Sequence, residues 1–373
     1  MKGLYIHIPF CKEKCKYCDF CSIVSSYDKR KEYVENLLKE FDLYGGKYDD
    51  IETIFIGGGT PSVLDIDLLR MVLDKIKSLI NVERVIEYTV ECNPGTITEE
   101  LADLFLESGV NRISLGLQST SDRLLKVIGR IHSYNDFKES YYLLRKKGIK
   151  NINVDFIYGL PGQTVEDIEA DINEITKLNP EHISYYSLKI EEGTKFYQMY
   201  QAGEIEEIDE EIDRAMYHIT IDKLKALGYG HYEISNFSKP GHESVHNLKY
   251  WRCHEYIGLG LSAHGYLDGY RYSNYYDFNE YYNSLSSNEK PILDSSEISG
   301  EDLLLERIML GLRLREGISI AELNQEFDID FLDIHGSEIK KHEEMGYMKI
   351  KDGRLFLTDS GFDISNYIIS KFI

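Results

Sequence analysis

The feature that most constrains this chain is an alternation of short apolar segments with amphipathic stretches of helical period. Strand candidates are Leu4–Ile8, Thr53–Ile56, Val85–Glu91, Arg112–Leu117, Asn153–Tyr158 and His182–Leu188. Each is rich in β-branched or aromatic residues and bounded by Gly, Pro or Asn. Helical periodicity fills the gaps at Lys29–Tyr44, Ile66–Leu79, Thr98–Glu107, Tyr134–Lys146 and Val165–Leu178. Thr98 and Thr164 stand at helix starts with acids in the turn that follows, and Gly109 and Gly148 stand where helices should stop. Strands separated by such long crossovers pair in parallel, with helices outside. Six repeats predict an α/β fold, a partial (β/α)6 TIM-like barrel rather than a small doubly wound sheet. Ligands then gather at the carboxyl ends of its strands.

The remaining sequence divides in two, giving expected units of 1–230, 231–299 and 300–373. Residues 204–213 carry seven acids in ten and read as the solvated start of a helix over Asp209–Leu227. Gly228–Gly269, rich in Gly, His and aromatics with little periodicity, reads as the wall of a site or a packed loop. Tyr270–Leu285 reads as a cover over the barrel. From Asp294 a serine-rich acidic patch precedes helices at Leu303–Leu314, Ile320–Phe327 and Ile334–Met345, then two short strands, Tyr347–Ile350 and Arg354–Leu357. Helices followed by a two-stranded wing predict a small winged-helix-like α+β domain. It offers no dense basic helix, so contact with protein or docking within the chain is expected over DNA binding.

Charge narrows the partners. In 373 residues, 42 Lys and Arg face 64 Asp and Glu, a formal net charge of -22. Such a chain repels phosphate backbones and anionic membrane surfaces, and no basic groove is legible, so no nucleic-acid partner is expected. No apolar stretch approaches the length of a bilayer span, and the amino terminus lacks a long apolar signal region. The expectation is a cytoplasmic protein.

Of six cysteines, Cys11, Cys15, Cys18 and Cys21 crowd the end of the first strand, a metal-site distribution rather than a disulfide framework. Cys11, Cys15 and Cys18 are spaced C-x3-C-x2-C. Three thiolates hold three irons of a [4Fe–4S] cube and leave the fourth iron open. With Cys21 as a fourth ligand, tetrahedral zinc or a closed cluster is the alternative.

The spacing, its place after the first strand, and Tyr17 before the last cysteine resemble the radical S-adenosylmethionine (SAM) superfamily. The resemblance implies that Cys11, Cys15 and Cys18 hold a [4Fe–4S] cluster while Cys21 does not. The open iron would bind the amino and carboxylate groups of SAM, and reductive cleavage would give methionine and a 5'-deoxyadenosyl radical. Gly57, Gly58, Gly59 and Thr60, in GGGTP after the second strand, resemble the element at the methionine end of the cofactor. Glu91 and Gln118, ending the third and fourth strands, resemble ribose contacts. Arg130 in IGRIH resembles the partner of the cofactor carboxylate, and Asp155 on the fifth strand belongs to the same pocket. Tyr5 and His7 precede the cysteines on one face of the first strand, and Tyr5 is the stronger candidate for a contact near cluster or cofactor.

LYIHIPFC, CKYCDF, FIGGGTPS, YGLPGQT, YEISNFSKPG and GLGLSAHG together resemble one branch of that superfamily over essentially the whole chain. The branch contains oxygen-independent coproporphyrinogen III dehydrogenases and HemW-type heme chaperones. Three features favour the chaperone group. The cysteines arrive without the dehydrogenases' longer amino-terminal extension; Phe20 stands where those enzymes carry a CxC cysteine; and His246–Trp251, HNLKYW, matches the chaperones' HNxxYW signature. His246, Tyr250 and Trp251 are therefore heme candidates, an imidazole ligand beside two flat aromatic faces. His242, Cys253, His254 and His264 stand nearby as competitors.

The resemblance thus implies a chaperone that binds heme or a porphyrin and hands it to a respiratory heme protein, membrane-bound acceptors included. It would act in the cytoplasm, reach the membrane only transiently through such a partner, and form a homodimer. Coproporphyrinogen oxidase activity is not expected. The runner-up is the dehydrogenase, whose radical would convert two propionates to vinyl groups. A third reading is a zinc-bearing binding module.

Overall fold

A computed structural model of the chain describes residues 2–372. Six parallel strands form its centre: β1 (Lys2–Ile8), β2 (Ile51–Gly58), β3 (Glu87–Cys92), β4 (Arg112–Gln118), β5 (Asn151–Tyr158) and β6 (His182–Ser187). They pair in chain order, each parallel to the next. The crossovers contain α1 (Tyr27–Asp42), α2 (Ile66–Leu79), α3 (Glu99–Glu107), α4 (Asp122–Val127), α5 (Tyr134–Lys147) and α6 (Val165–Leu178). After β6 come α7 (Lys195–Gln201) and α8 (Glu210–Ala226).

Local chemistry sets these boundaries. Thr164 and Asp167 form a reciprocal capping box at the start of α6, as Ser133 and Asp136 do at α5. Gly148 ends α5 at φ 100°, a left-handed conformation that costs glycine little. The acidic run behaves as a solvated helix start: Asp209 caps α8, whose first turn holds Glu210, Glu211 and Asp213.

Alternation along β1 sends Leu4, Ile6 and Ile8, all fully buried, toward the helices and Tyr5 and His7 toward the inside of the barrel. The core outside the sheet is apolar, with Val34, Leu37, Val72, Leu73, Ile113 and Val154 among its members. The inward face is polar. Cross-strand register aligns Glu91, Ser114, Asn153 and His182 in one row, and Gly116, Asp155 and Ser184 in the next. Polar side chains in a barrel interior cost stability unless paired or set aside for a ligand.

Residues 230–297 do more than cover this barrel. β7 (Gly230–His231) and β8 (Asn236–Ser238) extend the sheet beyond β6. The helix α9 (Val245–Trp251) follows; then β9 (Tyr256–Leu259) pairs parallel with β1, so the sheet grows at its other edge too. β10 (His264–Leu267), β11 (Tyr270–Asn274), α10 (Phe278–Ser286) and β12 (Ile292–Glu297) complete it, giving strand order β12-β11-β10-β9-β1-β2-β3-β4-β5-β6-β8-β7. The first part of the serine-rich acidic patch lies in the outermost strand, β12, where charge on an edge discourages pairing with another chain.

A second apolar cluster belongs to α11 (Gly300–Gly311), β13 (Ile318–Ser319), α12 (Ile320–Phe327), α13 (Phe331–Glu344), β14 (Met348–Lys351) and β15 (Arg354–Leu357). Its strands run antiparallel in the order β13-β15-β14, a winged-helix-like arrangement. Two short helices, Asp359–Asp363 and Ser365–Ile369, close the module. Among the described residues no helix is long and apolar enough to cross a membrane.

Candidate cofactor site at the carboxyl ends of the strands

The cysteines occupy a loop pinched at its base by a bridge between Phe10 and Ile23. Cys11 N donates to Ile23 O at 3.0 Å, and Ile23 N donates to Pro9 O at 2.9 Å. Halfway round, Lys16 N donates to Ile128 O at 3.0 Å, and Phe196 N donates to Lys16 O at 2.8 Å. The short helices α4 and α7 thus hold the loop against the barrel mouth. Neither was legible in the sequence, because six or seven residues carry too little periodicity.

Glycines of the β2 end give the loop its seat. A Cβ on Gly59 would lie 2.7 Å from Phe10 O and 2.8 Å from Phe10 N. Gly58 sits at φ 106°, and a Cβ there would lie 2.6 Å from the His7 ring. A Cβ on Gly57 would lie 2.7 Å from Glu91 Oε2. The glycine run therefore brings the cysteine loop, His7 and Glu91 into direct contact with the backbone.

A polar circuit then links two of the cysteines. Cys11 Sγ is 3.7 Å from Thr60 Oγ1, which accepts from Asn93 Nδ2 at 2.9 Å. Asn93 Oδ1 accepts from Arg130 Nη2 at 2.7 Å, and Arg130 Nη1 donates to Cys15 Sγ at 3.4 Å. Arg130 also bonds Gly116 O, while its buried Nε has no partner among the described residues. Asn93, one residue beyond β3, was not singled out from the sequence. A lone asparagine in a turn has many bland explanations, and only the fold sets it between Thr60 and Arg130. Beside this circuit opens a cleft of about 270 Å³ lined by Cys15, Asn93, Thr96, Arg130 and His132.

The inward acids complete the mouth. Glu91 accepts from Gly58 N at 3.2 Å, and burial, reinforced by Asp155, pushes its pKa up to about 8. Asp155 accepts from Ser114 Oγ at 2.9 Å and Asn153 Nδ2 at 2.7 Å; burial raises its pKa against these donors. Two carboxyl groups held near one another in a confined space favour a ligand that brings hydrogen-bond donors. Gln118 ends β4 at φ 74°, a left-handed position sparsely used by side-chain-bearing residues, and is largely buried. Tyr5 Oη lies 3.0 Å from His7 Nδ1, and His7 Nε2 lies 2.8 Å from Cys21 O. Burial keeps His7 neutral, so Nε2 carries the proton given to the carbonyl and Nδ1 accepts from Tyr5.

These residues fit the cluster and cofactor in donor chemistry. Cys11, Cys15 and Cys18 are half-buried, and the nearest charged groups acting on Cys18 include Cys15, Lys14 and Cys11. Burial pushes the Cys18 thiol up to about 11. Cys21 has other neighbours: its thiol is influenced by Lys14 and Ser262, and it packs against the apolar core. Among the described residues no three His, Cys, Asp or Glu side chains are gathered as a preformed metal group. A loop without helix or strand between its pinched ends can close around a shared ligand.

HNLKYW lies at the opposite mouth of the barrel. Glu87, the first residue of β3, accepts from Val245 N at 2.8 Å and His246 N at 3.1 Å, fixing the start of α9. Lys249, buried, pairs with Glu52 at 3.0 Å near the start of β2. His246 is fully buried, with Nδ1 2.8 Å from Thr53 Oγ1 and Nε2 2.8 Å from Tyr250 Oη. Both ring nitrogens are thus engaged within the protein, and Tyr250 and Trp251 are half-buried. The cysteines and HNLKYW, both prominent in sequence, are not brought together.

Fold and cofactor-type mouth define the class first. Residues 5–175 match the Radical SAM superfamily, and residues 298–364 match the HemN C-terminal domain. The coproporphyrinogen III oxidase (HemN) of Escherichia coli superposes with a TM-score of 0.86 at 20 % identity, covering 99 % of this chain and 89 % of that one. That likeness is one of fold. Sequence relatives are more specific. The heme chaperone HemW of Lactococcus lactis is 36 % identical over 369 residues, 99 % of this chain and 96 % of the relative. HemW of Bacillus subtilis is 36 % identical over 376 residues, 100 % and 99 % of the two chains. The chain belongs to the HemW family of radical SAM proteins, and membership of that superfamily implies a [4Fe–4S] cluster and SAM.

Proposed function

We propose that the protein is a heme chaperone: it binds heme and delivers it to a respiratory heme protein, with a [4Fe–4S] cluster and SAM held at the carboxyl mouth of the barrel. Cys11, Cys15 and Cys18 are the cluster ligands. Tyr5, Gly57, Gly58, Gly59, Thr60, Glu91, Gln118, Arg130 and Asp155 form the SAM pocket. When bound, the cluster supplies a one-electron donor and an open iron for SAM. The chain's own contribution is positional. Arg130, held in place by Asn93, Gly116 and Cys15, offers its unsatisfied Nε to a carboxylate. Glu91 and Asp155 accept hydroxyl protons, and the glycine run lets backbone approach the ligand.

The observation that carries the heme reading is the likeness to heme chaperones along the full chain. The separation of the two mouths supports it. A decarboxylase would seat its porphyrin beside the cofactor, whereas the heme candidates His246, Tyr250 and Trp251 stand at the amino ends of the strands. Of these, His246 and Tyr250 bond one another within α9, and Trp251 offers a half-buried aromatic face. The acceptor is a respiratory protein that the carrier meets from solution, and a homodimer is the proposed assembly.

Reconstituting the protein anaerobically beside Cys11→Ser, Cys15→Ser, Cys18→Ser and Cys21→Ser tests the metal assignment. Iron and sulfide per chain should collapse in the first three and persist in Cys21→Ser, with hemin binding retained in all. Zinc on four sulfurs, lost equally in Cys21→Ser, would end the radical SAM reading of the site.

A further inference from the structure

The buried stripe of α6 runs Ile168, Asp171, Ile172 and Ile175, so a carboxylate occupies a core position of an otherwise apolar face. Asp171 is fully buried, and a charge there costs stability unless hydrogen bonds replace its water. Donors come from one turn, the two residues after β4. Thr120 N and Thr120 Oγ1 each donate to Oδ1 at 2.6 Å, and Ser119 Oγ lies 3.2 Å from both carboxylate oxygens. Burial pushes the pKa up to about 6 against these donors, so at neutral pH the group is mainly ionised and accepts. Hydrogen bonds to an ionised acceptor are the stronger kind. An apolar residue would fill the stripe at lower cost, so what the acid adds is its grip on the turn.

That turn joins two parts of the cofactor pocket. On one side is Gln118, where the β4–β5 register shifts between Gly116 and Gln118 and the backbone turns left-handed at φ 74°. A side-chain-bearing residue keeps such a conformation only where its surroundings hold it. On the other side Ser121, whose N donates to Ser119 Oγ at 3.1 Å, stands at the start of α4. The far end of α4 leads to Arg130, whose N donates to Leu125 O at 2.9 Å. Arg123 of α4 adds a more exposed tie to α6, donating to Asp167 at 2.7 Å. Asp171 is thus the buried point at which Gln118 and the helix leading to Arg130 are both fastened to α6.

Resting on the SAM pocket proposed above, we infer that Asp171 is a positioning residue for SAM: through Ser119 and Thr120 it fixes Gln118 and the approach to Arg130, and so sets SAM affinity. A pocket held in place beforehand spares the ligand the ordering of its own contacts. The cysteine loop has a separate seat in the Phe10–Ile23 bridge and Gly59, so cluster assembly does not depend on this clamp.

The test measures equilibrium SAM binding, iron per chain and Tm on full-length protein reconstituted anaerobically, with the SAM-induced change in the EPR spectrum of the reduced cluster. In Asp171→Ala iron should hold while SAM affinity falls about tenfold, the scale on which outer supports of a site act. The spectral change should then need correspondingly more SAM. Asp171→Asn keeps the shape and one acceptor for Thr120 N, so its affinity should lie between those of Asp171→Ala and the unaltered protein. A lower Tm with SAM affinity and spectrum unchanged would overturn the inference and leave Asp171 a support of the core alone. If Asp171→Ala fails to fold, Thr120→Val decides, because it deletes one donor of the turn and keeps its shape. Weakened SAM affinity at full iron supports the clamp there, and unaltered affinity overturns it. Absence of SAM binding by the unaltered reconstituted protein would overturn the pocket reading and this inference with it.

Discussion

Gly59 has no room for a methyl group, because Phe10 and Ile8 backbone atoms lie within 3 Å of where its Cβ would be. Gly59→Ala should push the cysteine loop off its seat and destabilise the fold by about 1–3 kcal/mol, the usual range for overpacking. Thermal unfolding and iron per chain read this together: both fall if the seat matters, and unchanged iron retention contradicts it. Arg130 is the complementary case, since its geometry rather than its charge matters. Arg130→Lys keeps the cation but loses the fork joining Asn93, Gly116 and Cys15. SAM affinity should fall about tenfold while iron content holds; equilibrium SAM binding measures it, and unaltered affinity argues against the carboxylate role. At this scale the sequence was informative wherever strand alternation applies. Tyr5 and His7 share a face and a hydrogen bond, and Glu91, near the end of β3, and Asp155, within β5, occupy inward positions. Asn93 was invisible because it lies in a turn, where no period reports its direction.

Elements differ in how loudly they announce themselves. Helices α2, α6 and α12 and strand β15 match their expected bounds; an amphipathic period marks the three helices, and a side-chain cap adds to it at α6 and α12. The strands β9 to β12 went unread because pairing across the sequence, rather than local period, makes them strands. A buried carboxylate, Glu40 of α1, fastens this late segment to the barrel. It accepts from Gly260 N at 2.7 Å, Asn274 Nδ2 at 2.7 Å and Tyr281 Oη at 2.6 Å. Burial outweighs those donors and pushes its pKa from 4.5 up to about 7. The folded chain therefore binds this proton more tightly than the unfolded chain, and ionisation erodes stability as pH rises between those values. Across that window the contribution is bounded at about 3 kcal/mol. Glu40→Gln, which mimics the protonated acid, should flatten the stability profile there. Urea unfolding at successive pH values checks it, and an unaltered slope would show that Glu40 binds its proton equally well in the folded and unfolded chain.

At the scale of the whole molecule, two apolar cores and two barrel mouths organise the function. The parallel sheet was legible because six repeats with long crossovers admit few topologies. The separation of HNLKYW from the cysteines was not, since it depends on Glu87 and Glu52 drawing α9 to the strands' amino ends. That separation gives the proposal its content: heme as cargo at one end of the barrel and the cofactor at the other. The most direct test incubates anaerobically reconstituted protein with reductant and SAM in two parallel reactions, one preloaded with hemin beside an apo heme protein, the other given coproporphyrinogen III. Heme should pass to the acceptor, and no protoporphyrinogen should form. Protoporphyrinogen formation that depends on Cys11, Cys15 and Cys18, with no heme transfer, would contradict the account and place a porphyrin substrate beside the cofactor.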